Sequence, residues 1–127
     1  MILRRAALAA TTLALFAAAP TASATTQPGA EQELSVTASN GYRYSVDLTC
    51  APRGGTHSDN WTACDAVRKS KGNMDNLPVQ DWRVCTKELE PVVFSAFGHY
   101  HGETVTWEKA FPNECEGHRL TGGLFDF

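Results

Sequence analysis

Four cysteines stand at positions 50, 64, 85 and 115 of a 127-residue chain, and all of them follow a segment laid out like an export signal. That combination constrains the fold more than any other feature. Met1 to Ala24 carries Arg4 and Arg5, then a short apolar stretch from Ala6 to Ala19, then the triplet Ala22-Ser23-Ala24. A basic start, an apolar middle and an A-x-A site are the order of a secretory signal. Cleavage is therefore expected after Ala24, and the protein is expected outside the cell. An even number of cysteines in an oxidising compartment reads as two disulfides. Four cysteines allow three pairings, and the residues alone leave the choice open. The sequential pairing, Cys50 with Cys64 and Cys85 with Cys115, would close two separate loops, each worth about 3 to 4 kcal/mol in the chain-entropy account. A structural zinc would be the rival use, but no C-x2-C pair exists.

Removal of residues 1–24 would leave about 103 residues with a net charge of about -5, against -3 for the whole chain. That is one domain, of a size that buries less than about two-thirds of its unfolded surface and gains from cross-links. The excess of acids argues against a nucleic-acid binder, which carries a basic patch. Beyond the signal no run of 18 apolar residues occurs, so no membrane span is expected in the mature protein.

Residues 25–33, with Pro28 and Gly29, read as a flexible leader, and residues 34–127 as the domain. Leu34 and Val36 alternate with polar residues, and Asn40-Gly41 marks a turn. Tyr42, Tyr44, Val46, Leu48 and Cys50 then share one parity, while Arg43, Ser45, Asp47 and Thr49 share the other. This is a half-buried strand, and it predicts a hairpin from Leu34 to Cys50. Pro52, Gly54 and Gly55 break the chain. Ser58 or Asp59 caps a predicted helix whose inner face uses Trp61, Cys64 and Val67 and which ends at Gly72. A helical turn is expected around Met74 to Leu77, and an exposed loop from Gln80 to Glu90. Val92, Phe94 and Ala96 begin a second hairpin with a turn at Gly98–Gly102 and a return face of Val105, Trp107 and Phe111. Leu124 to Phe127 reads as a short closing strand. The fold class is α+β with an antiparallel sheet.

Few side chains advertise chemistry. His99 and His101 flank Tyr100 and would share a face on a strand, but they sit at the expected turn without a third ligand, so no metal is assigned. No G-x-S-x-G elbow, free thiolate or carboxylate pair marks a hydrolase, so the chain is read as no enzyme and as needing no cofactor. Asn60-Trp61-Thr62 matches a glycosylation acceptor but lies at a helix start. A carbohydrate- or envelope-binding module is the alternative, with Tyr42, Tyr44, Tyr100 and Trp107 as its aromatic surface, although the alternation turns most of these inward.

The segment Val84-Cys85-Thr86-Lys87-Glu88-Leu89-Glu90-Pro91 stands apart. It is polar, held by a disulfide at one end and stiffened by proline at the other, with Lys87 in its middle. Held rigid and extended, such a peptide binds a protease without an ordering cost. If it is cut, its tethered ends keep the new amine in place to rejoin the acyl-enzyme.

These residues carry a resemblance. Leu48-Thr49-Cys50-Ala51-Pro52, Gly55-Thr56-His57, Ala63-Cys64, Cys85 with Pro91-Val92, Asn113-Glu114-Cys115-Glu116 and Leu124-Phe125-Asp126-Phe127 occur in an order similar to that of the Streptomyces subtilisin inhibitor-like family of secreted serine-protease inhibitors. The resemblance implies a five-stranded antiparallel sheet packed with two short helices, the pairing Cys50–Cys64 and Cys85–Cys115, and a homodimer formed through the sheet. It also implies a reactive bond at Lys87–Glu88. Val84, Cys85, Thr86, Leu89 and Glu90 would then line the protease cleft, and Asn113 would support the loop from behind. A primary pocket with a buried Asp selects a cation, so Lys87 implies trypsin-like partners, and apolar Val84 suits subtilisin-like ones. Glu88 places a charge directly after the bond, where relatives often carry an apolar residue.

Overall fold

The computed structural model describes residues 10–20 and 28–127. The basic start of the expected signal, its Ala22-Ser23-Ala24 site and residues 25–27 of the expected leader lie outside the described residues. Residues 10–20 are exposed and have no regular structure.

Five strands make one antiparallel sheet: β1 (Ala30–Thr37), β2 (Arg43–Cys50), β3 (Gly54–Gly55), β4 (Val92–Tyr100) and β5 (Glu103–Phe111). Their spatial order is β3-β2-β1-β4-β5. β1 therefore runs down the centre. It pairs along its whole length with β2, Ala30 opposite Cys50 and Thr37 opposite Arg43, and with β4, Ala30 opposite Tyr100 and Thr37 opposite Val93. The period-2 alternation puts Leu34, Val36, Leu48, Phe94 and Ala96 on one face, where they are buried with Phe111. Helix α1 (Asn60–Ser70) adds Ala63, Ala66 and Val67 to this core, and a 3-10 turn at Met74–Asn76 adds Met74. Helix α2 (Glu114–Leu120) follows β5.

Several expectations are corrected by packing. Ala30 to Glu33, assigned to the leader, belong to the central strand. The buried face of α1 is Ala63, Ala66, Val67 and Ser70, and Trp61 is 67% exposed. Small side chains let the helix approach the sheet and rotate the large indole outward. Asp59 is the cap: its carboxylate accepts from the Thr62 amide at 3.1 Å and from the Thr62 hydroxyl at 2.7 Å, which holds it below the usual carboxylate range. Tyr42, placed on the inner parity, lies beyond the covered part of the sheet and is exposed. Gly98 does not turn the chain. It sits in β4 at φ +155°, where a Cβ would come within 1.9 Å of the Glu31 carbonyl oxygen, so glycine permits the close pairing with β1. The turn lies at His101–Gly102. The residues Leu124 to Phe127 form no strand. They follow the left-handed pair Gly122-Gly123, and Leu124 and Phe125 are fully buried as a plug, with Phe125 stacked on Phe94 at 4.7 Å. The fifth strand is Gly54–Gly55, paired with Leu48 and Thr49.

Candidate functional site

The segment between the 3-10 turn and β4 has no regular structure, yet it is fastened at many points. The Gln80 amide donates to the Arg119 carbonyl at 2.8 Å. The Arg83 guanidinium reaches Gln80 Oε1 at 2.8 Å and the Asp126 carboxylate at 2.9 Å. Cys85 is bonded to Cys115 of α2, and Cys50 to Cys64, so the pairing is the sequential one. Beyond, the Glu90 amide donates to the Pro112 carbonyl at 2.8 Å.

Asn113 occupies the middle of this arrangement and is 8% exposed. Its Nδ2 donates to the Thr86 carbonyl at 3.2 Å and to the Glu88 carbonyl at 2.9 Å. Its Oδ1 accepts from the Glu116 amide at 2.8 Å and so caps α2. One side chain thus uses both donors on the loop and its acceptor on the helix. The carbonyls on either side of Lys87 are tied inward, whereas that of Lys87 accepts no hydrogen bond among the described residues. The side chains along this stretch face outward: Val84 is 93% and Leu89 80% exposed, and Thr86, Lys87, Glu88 and Glu90 are exposed too.

Helix α2 is the platform for the loop, and its own seat is specific. A Cβ at Gly117 would fall 2.5 Å from Phe94 Cζ, so glycine lets the helix lie directly on the core. The Tyr44 hydroxyl donates to Glu114 Oε1 at 2.5 Å, and His118 Nε2 lies 3.4 Å from the same oxygen. Burial and the Glu114 carboxylate push the Tyr44 hydroxyl well above its usual range. Burial pulls His118 below its usual value and outweighs the opposing Asp126 and Glu114 carboxylates, while Arg83 adds to the lowering. His118 therefore packs against Phe94 as a neutral ring at neutral pH, with centroids 5.5 Å apart.

The residues singled out from the sequence fall into two groups. Val84 to Glu90, Asn113 and the Cys85–Cys115 bridge come together as one site. His99 and His101 do not: His99 is in β4 opposite Glu31, and His101 is in the turn. Among the described residues no group of three or more His, Cys, Asp or Glu side chains is placed to hold a metal ion. Tyr44, Tyr100 and Trp107 pack against the core, so three of the four aromatics of the alternative binding surface are engaged there. Gln80, Arg83, Arg119 and Asp126 escaped sequence reasoning because they meet across the fold without any local spacing. Helix α2 did leave a signal, an Asn followed three residues later by Glu, which is the spacing of a capping box.

Comparison with known proteins shows the family and the fold. The profile of the subtilisin inhibitor-like family matches residues 9–113. A transglutaminase-activating metalloprotease inhibitor of Streptomyces mobaraensis is 38% identical over 92 residues, 71% of this chain and 62% of that protein. The chain thus spans less than two-thirds of that relative's length. Subtilisin inhibitor-like protein 2 of Streptomyces rochei is 37% identical over 84 residues, 65% of this chain and 74% of that protein. Among solved structures, Streptomyces caespitosus sermetstatin, in complex with Bacillus licheniformis subtilisin, superposes with a TM-score of 0.60 at 26% identity, covering 77% of this chain and 98% of that one. With its five-stranded sheet, two helices, two disulfides and matching order of motifs, the chain belongs to the subtilisin inhibitor-like family.

Proposed function

We propose that this protein is a secreted inhibitor of trypsin-like and subtilisin-like serine endopeptidases, with Lys87–Glu88 as its reactive bond. The observation that carries the reading is the double donation of Asn113 to the carbonyls of Thr86 and Glu88. Those bonds hold the backbone on both sides of Lys87 while its own carbonyl remains open to a nucleophile. Attack by a protease serine on that carbonyl breaks the Lys87–Glu88 bond and leaves an amine on Glu88. Asn113, the Pro112 carbonyl and the Cys85–Cys115 bridge keep both ends in place, so the amine returns to the acyl-enzyme faster than water arrives. Lys87 suits a primary pocket with a buried carboxylate, and Val84 offers an apolar group further along the cleft. Thr86, Leu89 and Glu90 complete the contact, and Cys85 contributes backbone. The names of the relatives, protease inhibitors including one of a metalloprotease, support the class. Export through residues 1–24, a domain that follows them and a homodimer through the uncovered sheet face belong to the same reading.

Titration of trypsin and subtilisin with the purified protein tests it. Near-stoichiometric loss of both activities is expected. Lys87→Met is expected to weaken trypsin inhibition at least about 100-fold, as removal of a hot-spot side chain does, and to leave subtilisin inhibition in place. Full trypsin activity in excess protein would overturn the trypsin assignment. Equal loss against both enzymes would show that Lys87 is not the specificity residue.

A further inference from the structure

At the far end of the sheet a cleft of about 360 Å³ opens between the Cys50–Cys64 bridge, α1 and the β4–β5 turn. We propose that it is a second binding site, for a small organic carboxylate with an aryl or medium-chain alkyl body.

Its interior is apolar: Ala30 and Val67 are 2% and 1% exposed, and Cys50, Cys64 and Tyr100 line it beside them. Its rim is cationic. Asp65 is already engaged by Arg68 at 2.6 Å and Lys69 at 2.8 Å, and these partners hold its carboxyl below the usual range. Arg53 lies on the Trp61 ring with its guanidinium carbon 3.0 Å from the centroid. No carboxylate of the described residues is within ion-pair distance of it. Stacking takes up the face of a guanidinium and leaves its N–H edge free for a planar two-oxygen partner. In a chain of net charge -3 this rim is a local reversal of sign, so it selects an anion, while the interior selects an apolar body.

The rim is also preorganised. The Gly29 amide donates to the Ala51 carbonyl at 3.2 Å, and the His101 amide donates to the Gly29 carbonyl at 2.6 Å. Ala51 and His101 sit at φ +56° and +45°, left-handed backbone that side chains adopt only when the surroundings hold them there. A cleft of this volume lies at the lower end of small-molecule sites. It is also remote from the loop: β4 begins at Val92, beside Pro91, and ends at Tyr100 in the cleft. At strand rise those ends are about 26 Å apart. None of the groups that line the cleft belongs to the loop, so this site stands independently of the inhibitory reading.

The test uses the disulfide-bonded protein and 8-anilinonaphthalene-1-sulfonate as a fluorescent anion, with octanoate and 3-phenylpropionate as competitors and NMR shifts as the map. Expected are saturable single-site binding, displacement by the acids but not by octanol or octylamine, and shifts centred on Arg53, Trp61 and His101. Displacement by only one acid identifies the body as aryl or alkyl. Arg53→Gln is expected to weaken binding about tenfold, the loss of one charge-assisted pair, and Arg53→Glu to abolish it. Both exposed substitutions are expected to keep the wild-type Tm and the subtilisin titration. Absence of saturable binding overturns the proposal. So do displacement by octanol as strong as by octanoate, unchanged affinity in Arg53→Glu, and shifts centred elsewhere on the molecule.

Discussion

The two disulfides span nearly equal Cα separations, 5.6 Å for Cys50–Cys64 and 5.7 Å for Cys85–Cys115, but they join different kinds of structure. Cys50 ends β2, a strand paired over its whole length, and Cys64 lies in α1, which buries four residues against the core. There the covalent bond repeats what packing already does. Cys85 lies in a segment without regular structure, and Cys115 in a helix of seven residues. There the bond stands in for packing. The difference teaches how the proposed contact loop is kept in shape: its backbone lacks regular structure and is held by a cross-link and one amide side chain.

Replacing Cys85 and Cys115 together by serine gives the largest effect expected. Loss of a cross-link spanning 30 residues costs about 3 to 4 kcal/mol, and the loop becomes an ordinary substrate. Replacing Cys50 and Cys64, which span 14 residues, costs about 3 kcal/mol and leaves the loop uncut. Denaturant unfolding and a time course of trypsin clipping measure both; equal clipping in the two variants would break the contrast. Gly117→Ala comes next. Crowding Phe94 costs about 1 to 3 kcal/mol and exceeds the helix-propensity gain of about 1 kcal/mol, so Tm falls and clipping quickens as α2 lifts. A variant as stable and as slowly cut as the parent would show that α2 is not seated through this contact.

Asn113→Asp separates two jobs of one residue. The carboxylate still caps α2 and suits a helix N-terminus, which offsets part of the loss of the two loop hydrogen bonds, so stability falls by only about 1 to 2 kcal/mol. Both donors to the loop are lost, and cleavage at Lys87–Glu88 is expected to accelerate at least about tenfold, since each hydrogen bond removed from the loop is worth about 1 kcal/mol. Unchanged cleavage would remove Asn113 from the account of the loop. The smallest effect is one of pH. His118 titrates below its ordinary value, so between the folded and unfolded values the unfolded chain holds more protons. Stability therefore falls as pH drops below about 6.5, and His118→Leu should flatten that slope. Asp59 and Asp65 of the α1 end are lowered carboxylates, whose contribution disappears only as pH falls below about 4. Thermal melts between pH 7 and 3 should show the loop end weakening first; a wild-type slope retained in His118→Leu would reject the assignment.

How much of this was legible in the residues depended on local repetition. The hairpin of β1 and β2 was readable because alternation continues over Arg43–Cys50. The loop was readable because Cys85, Lys87 and Pro91 stand close together. Helix α2 was not, because seven residues with Gly117 in their midst are too short to establish an apolar period, although the Asn113 to Glu116 spacing announced its start. The buried face of α1 was misread because Trp61 outweighs Ala63 in hydrophobicity, whereas proximity to the sheet favours the smaller residue. The tail was misread because Leu124 and Phe125 look like a strand by composition while their burial comes from filling a gap. Sign reversal at Arg53 was invisible, since its neighbours Trp61, Arg68 and His101 are brought together only by the fold.

The central position of β1 has a consequence for how the molecule comes into being. Its partner on one side, β2, is adjacent in the chain, but its partner on the other, β4, pairs Tyr100 with Ala30, across most of the domain. Closing so long a segment is entropically slow, so two local hairpins are expected to form before they zip together along β1 and β4. The loop lies between those hairpins and is fixed by α2 and Asp126, which come after both. Its geometry is thus among the last features to arise. On the proposed reading, a half-folded chain would offer a protease an ordinary peptide, and only the finished one the held loop.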